Sequence, residues 1–331
     1  MMMRSFRTEF AIDPCPEKVH HSGSLLTIGS CFSEAIGAKL QQSKFDVLAN
    51  PFGVIYNPIS ILDLLECSLR ETPLAKERYL QSHARFYHFQ THSRLSGASL
   101  EELQSLLKKS QQDTLRHLQN SSHLFITFGT AFVFRHLPTN ALVANCHKVP
   151  QQQFKKELLT LEQMQVTFDR FYKVLRQVCP KVQLVLTVSP VRHIRDGISA
   201  NQISKSLLRV FCGELIREYP GVFYFPAYEI MMDDLRDYRF YKDDLIHPNS
   251  MAETYIWEKF RNCFFDGSTE NLVDEIEQIQ RSLSHRPFEP LSQQHAAFLR
   301  KLAHQIQQLP QSLDFSCELK AIADQLNQIE N

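Results

Sequence analysis

The stretch SLLTIGSCFSE (24–34) decides how the rest of the chain is read. A short apolar run closes on Gly29, and FSEAIGAKLQQ (32–42) follows with helical composition. That order predicts a strand, a turn at the glycine, and a helix. The unit recurs. FDVLA (45–49), HLFITFG (123–129), VQLVLTVSP (182–190) and VFYFPAYEI (222–230) are further short apolar runs. Helical patterns at 59–71, 99–119, 150–180 and 200–219 separate them. Strands buried on both faces read as continuous apolar runs, and their alternation with helices specifies a three-layer α/β/α sandwich around a mostly parallel sheet. Functional loops in such folds leave the carboxyl ends of the strands. The loops GSC, NPFG, GTA and SPVRH are therefore expected to converge.

Other segments organise the chain around this domain. Residues 1–22 form an extended lead-in, residues 22–265 the α/β domain, and residues 266–331 a helical appendage. The appendage reads as three polar, Gln-rich helices, with RPFEP (286–290) linking the first two. Their narrow apolar stripes suit docking, either on the main domain or between copies of the chain as a homo-oligomer. FVFRHLPTNALVANC predicts two strands around a Pro-Thr-Asn turn, and 150–180 one long amphipathic helix. The His- and aromatic-rich segment 73–98 reads as irregular, and FYHFQTHSR within it as a pocket wall or core.

Composition bounds the function classes. Of 331 residues, 43% are apolar and 22% charged, which excludes bulk disorder. Lys+Arg and Asp+Glu are both 36, so there is no general electrostatic reason to bind nucleic acid or an anionic membrane. No secretory h-region opens the sequence, and no run reaches the roughly 20 apolar residues of a membrane span. Eight scattered cysteines without a CxxC pair read as reduced thiols of a cytoplasmic protein.

Two constellations carry chemistry. In GSCFSE a helix N-terminus follows a strand, and its free N–H groups lower the pKa of a thiol placed there. Cys31 is then an activated nucleophile; alternatively Ser30 is the nucleophile or the helix cap. In DDLIHPN, Asp244 stands three residues before His247, the spacing at which a carboxylate folds back onto Nδ1 and leaves Nε2 as general base. Asp243 competes for that orienting role. Arg192, His193 and Arg195 follow a strand and suit an anionic substrate group. His88 and His92 are four apart, but no zinc-site pattern surrounds them, and no metal is expected.

These motifs resemble the GSCFA family, which is grouped with SGNH/GDSL-type hydrolases. GSCF, FGTA (128–131), NCHKVP (145–150), SPVRH with RDG (189–197) and DxxHPN occur in the family's order over residues 22–263. The resemblance implies a flavodoxin-like SGNH fold. It places Cys31 at the nucleophile position, with Ser30 replacing the Asp of the first block. Gly53 falls on the oxyanion glycine of the second block, and Gly129-Thr130-Ala131 on the third, whose Asn is missing. Asn145 or Asn57 is expected to substitute, with His147 and Arg192 beside the substrate, and Asp244 and His247 match the last block. The implied activity is hydrolysis of a small-molecule, glycan or lipid acyl ester by an esterase or deacylase that needs no cofactor. The alternatives are an acyltransferase with an acyl-CoA donor and a non-catalytic binding protein on the same scaffold.

Overall fold

The computed structural model describes residues 7–285 and 287–330; the first six residues of the lead-in and Arg286 of the linker lie outside them. The first half comprises β1 (Ser24–Gly29), α1 (Cys31–Gln42), β2 (Val47–Ala49), α2 (Pro58–Leu69), β3 (Tyr79–Ser82), β4 (Arg85–His88), α3 (Leu100–Asn120) and β5 (Ser121–Phe128). Then come β6 (Phe132–His136), β7 (Ala141–Val143), β8 (Phe154–Leu158), α4 (Leu161–Val178), β9 (Gln183–Val188), α5 (Ile198–Glu218) and β10 (Val222–Tyr224). The chain closes with α6 (Ala227–Glu229), which runs into a π-helical turn, α7 (Ser250–Phe264), α8 (Gly267–Ser284), α9 (Gln293–Gln308) and α10 (Ser316–Glu330).

Alternate residues of the apolar runs point to opposite faces of one sheet. Five parallel strands pair in the order β10-β9-β5-β1-β2. Leu26, Ile28, Leu124, Ile126, Leu184 and Leu186 pack into a core shared with α2, α3, α4 and α5. Their neighbours Leu25, Phe125 and Val185 pack the other way, with α1 and α7. Three layers result, as the sequence predicts. Gly37 lets α1 approach the sheet closely, since a Cβ there would lie 2.7 Å from that of Ala49. The strand order reverses between β1 and β5, which opens a crevice at their carboxyl ends.

Two small antiparallel sheets are inserted around that edge. β3 and β4 form a hairpin inside the segment expected to be irregular. β7-β6-β8 forms the second sheet, and β8 replaces the first part of the helix expected over 150–180. The helix itself begins at Leu161, where Thr160 and Gln163 form a reciprocal capping box. No helix among the described residues is long and apolar enough to cross a membrane.

The C-terminal helices have a core of their own, built from Ile276, Ile279, Leu299, Leu302, Ile306, Phe315 and Ile322. Val273, one turn earlier on α8, belongs instead to the core beneath α7. Arg261, buried on α7, pairs with Glu270, Asp274 and Glu277 of α8. Lys44 reaches Glu318 of α10 at 2.6 Å. Removing the Arg261 guanidinium strips three carboxylates of their shared partner. Because those carboxylates remain partly solvated, Arg261→Ala should cost about 2 kcal/mol, less than a fully buried pair. A urea midpoint equal to that of the wild type would contradict this.

Candidate active site

Ser30 and Cys31 differ sharply in surroundings. Ser30 caps α1: its Oγ accepts the Phe32 N–H, its own N–H donates to the Thr127 carbonyl, and it is 1% exposed. Cys31 is the first residue of α1 and partly exposed, with its Sγ 3.6 Å from Tyr56 Oη. At that position its N–H has no intrahelical acceptor. Burial first, then the neighbouring Cys31 and Glu34, raise the Tyr56 pKa well above that of a free phenol. The turn requires Gly29 at φ +140°, where a Cβ would sit 2.1 Å from the Thr127 carbonyl oxygen.

The loop before α7 orients His247. Asp244 Oδ1 accepts the N–H groups of Ile246 and His247, and Oδ2 lies 2.7 Å from His247 Nδ1. Those two N–H groups and the imidazole hold the Asp244 carboxyl down to about 2. Leu245 adopts φ +56° to make the turn, the Lys242 N–H donates to the His247 carbonyl, and Asn249 caps α7. His247 Nε2 makes no hydrogen bond among the described residues, and 38% of the side chain is exposed. Asp243 takes no part in the turn's hydrogen bonds.

Between these two groups stand Tyr56, Gly129 and His193. The Tyr56 and His193 rings meet edge-on at 5.1 Å. A Cβ on Gly129 would fall 2.9 Å from Tyr56 Cδ1 and 3.3 Å from His193 Nε2, so only glycine leaves both rings in place. Among the described residues, His193 Nε2 is buried without a partner. Burial, then Lys205 and His247, lower its pKa to about 4, so the ring is neutral at pH 7. Lys205 is itself buried and donates to the carbonyls of Gly129 and Ser189 at 2.8 and 2.7 Å. It ties the exits of β5 and β9 together, and desolvation lowers its pKa to about 7.

Several expected site residues have other occupations. The Gly53 N–H donates to the Asn50 carbonyl and the Gly129 N–H to the Tyr56 carbonyl, so both groups already have backbone acceptors. Gly53 is a glycine because at φ +74° a Cβ would overlap that of His92. Asn57 caps α2. Asn145 Oδ1 accepts the His147 N–H, and its Nδ2 donates to Ser93. The ring nitrogens of His147 lie 3.2 Å from Ser93 Oγ and 2.8 Å from the His88 carbonyl, so this buried histidine locks two loops together. His88 is likewise engaged at both nitrogens, by the Ala75 carbonyl and the Gln90 N–H. Arg192 supports the His247 loop: its N–H donates to the Ile246 carbonyl and its guanidinium to that of Leu245. It also lines a groove of about 200 Å³ with Met231, Met232, Tyr238 and Tyr241.

Sequence reasoning missed Tyr56 and Lys205. Tyr56 follows NPFGVI without a distinguishing pattern, and Lys205 lies within the helical pattern at 200–219 with nothing to single it out. His193 was visible in SPVRH, but as an anion clamp.

No curated protein matches the chain. Among solved structures, the crystal structure of a carbohydrate esterase family 3 from Talaromyces cellulolyticus is similar at 8% identity, with a TM-score of 0.33. The match covers 77% of this chain and 99% of that one. A profile of the GSCFA family matches residues 24–260, and one for the GSCFA domain protein, C-terminal domain, matches residues 276–328. The first match takes in the α1 turn, Tyr56, Gly129, His193 and the His247 loop together; the chain belongs to the GSCFA family.

Proposed function

We propose that the protein cleaves an acyl ester, with Cys31 as nucleophile and His247 as its base. The observation that carries this reading is the Asp244–His247 pair, in which Nδ1 is held at 2.7 Å and Nε2 is left free. Burial and the capping bond of Ser30 favour Cys31 over its neighbour. The Cys31 thiolate attacks the carbonyl carbon after His247 Nε2 takes its proton. The same imidazolium then protonates the leaving oxygen, and general acid–base catalysis of this kind contributes about 10²–10⁴-fold. Tyr56 keeps its proton and donates to the sulfur before attack. Water activated by His247 resolves the thioester; transfer to another alcohol differs only in the acceptor.

The test is iodoacetamide labelling at pH 7 together with nitrophenyl acetate turnover. Cys31 should label fastest of the eight cysteines and at least about tenfold more slowly in His247→Ala. Cys31→Ala should abolish turnover. Ser30→Ala should cost about 1 kcal/mol of stability as a lost cap while keeping activity. If Cys31 resists alkylation in the native protein and Ser30→Ala is the inactive variant, the assignment is reversed.

A further inference from the structure

We infer that His193 donates the side-chain hydrogen bond to the oxyanion that the third motif, Gly129-Thr130-Ala131, lacks an asparagine to supply. The inference rests on the proposed function and names a further residue of that same site. Four observations meet at this position. Among the described residues, His193 Nε2 is buried and unpartnered, an arrangement that costs free energy unless a ligand atom completes it. It stands over the bare Cα of Gly129, 3.3 Å from where a side chain would begin. Its ring meets that of Tyr56, whose hydroxyl is 3.6 Å from the Cys31 sulfur. Its backbone is fixed, because the His193 N–H donates to Asn201 Oδ1 on α5 at 2.9 Å.

Several other donors of this edge are spent. The N–H groups of Gly129 and Thr130 both go to the Tyr56 carbonyl, and that of Gly53 goes to the Asn50 carbonyl. Asn145 Nδ2 donates to Ser93 Oγ, and Asn57 is held at the start of α2 by its Oδ1, which accepts the Ser60 N–H. Among the described residues, the Cys31 N–H at the start of α1, Asn50 Nδ2 and the His193 ring have no hydrogen-bond acceptor, and it is His193 that stands over Gly129 of the third motif. Burial, reinforced by the neighbouring Lys205 and His247, keeps the ring neutral. A neutral imidazole carrying its proton on Nε2 is a competent electrophile of this kind, and it neither adds nor removes a proton during the step.

The step balances as follows. The Cys31 thiolate forms the S–C bond, and the carbonyl π pair moves onto oxygen. The resulting O⁻ accepts N–H bonds from His193 Nε2 and the Cys31 backbone. Collapse restores the carbonyl and breaks the C–O bond, and the alkoxide leaves with that pair, protonated by His247.

Two reactions of the same thiol separate this inference from the reading beneath it. Alkylation by iodoacetamide passes through no oxyanion; acylation by nitrophenyl acetate does. In His193→Ala, acylation of Cys31 should slow by about 10²–10³-fold while alkylation stays within about twofold of the wild type. His193→Gln, which keeps a donor, should recover part of the acylation rate. It also covers the case in which the alanine variant fails to fold. Equal acylation in wild type and His193→Ala overturns the inference and leaves Cys31 as nucleophile. A parallel fall in both reactions overturns it too, because His193 would then act on the sulfur. If wild-type Cys31 is alkylated but never acylated, the proposed function and this inference fall together.

Discussion

Gly29→Ala should unfold the protein or cost more than about 4 kcal/mol, the range reserved for named structural failures. Two effects add. At φ +140° an L side chain is strained. The new Cβ would also sit 2.1 Å from the Thr127 carbonyl oxygen and 2.8 Å from its carbon, and both are backbone atoms of the neighbouring strand that cannot rotate away. Relief requires parting β1 from β5 at the centre of the sheet. It would also break the bonds from the Gly29 N–H to Asn50 Oδ1 and from the Ile55 N–H to the Gly29 carbonyl. Urea unfolding followed by circular dichroism measures the loss. A soluble variant within about 1 kcal/mol of the wild type would show that the strands have more freedom than this geometry allows.

Acid should unfold the protein well above the pH at which carboxylates protonate. Burial lowers His88, His123 and His193 to about 4. Each was 6.5 in the open chain, so between about 6.5 and 4 the unfolded state binds protons that the native state refuses. Stability is therefore present above the unfolded value and lost as pH falls towards the folded one. At full protonation the loss is about 3 kcal/mol for each group, and three together rival the whole stability of a domain. Geometry agrees at His88, where Nδ1 accepts the Gln90 N–H and so has no place for a second proton. His88→Gln should flatten the stability profile across this window. A wild type equally stable at pH 7 and pH 4.5 would refute the argument.

The layered fold was legible because both faces of each central strand are apolar, so that LLTI, LFIT and LVLT stand out whatever surrounds them. β8 was not, because FKKEL turns Lys155 and Lys156 to solvent at the rim and merges with the helical pattern that follows. The β3–β4 hairpin hid for a related reason: it is half-exposed and carries no clean alternation. In the site, the Asp244–His247 pair was readable because both partners lie in one turn. Partners distant in sequence were not. Nothing in NPFG reveals that the Gly53 N–H turns back to Asn50, and nothing in NCHKVP reveals that Ser93 and His88 claim the His147 ring. A motif names positions; which hydrogen bonds remain free at each is settled only when the loops meet.

The two family profiles part company between residues 260 and 276, and the second begins inside α8. That helix runs unbroken for 18 residues, about 27 Å of rod. Val273, in the first half of the rod, is embedded beneath α7, and Ile276 and Ile279, one and two turns on, among the terminal helices. The seam in the family architecture is thus the stiffest kind of backbone rather than a hinge. A rotation imposed on one end cannot be absorbed by a flexible joint along α8 without breaking helical hydrogen bonds. The terminal helices therefore turn with α7, whose first residues follow the His247 loop directly, like a pointer fixed to a dial.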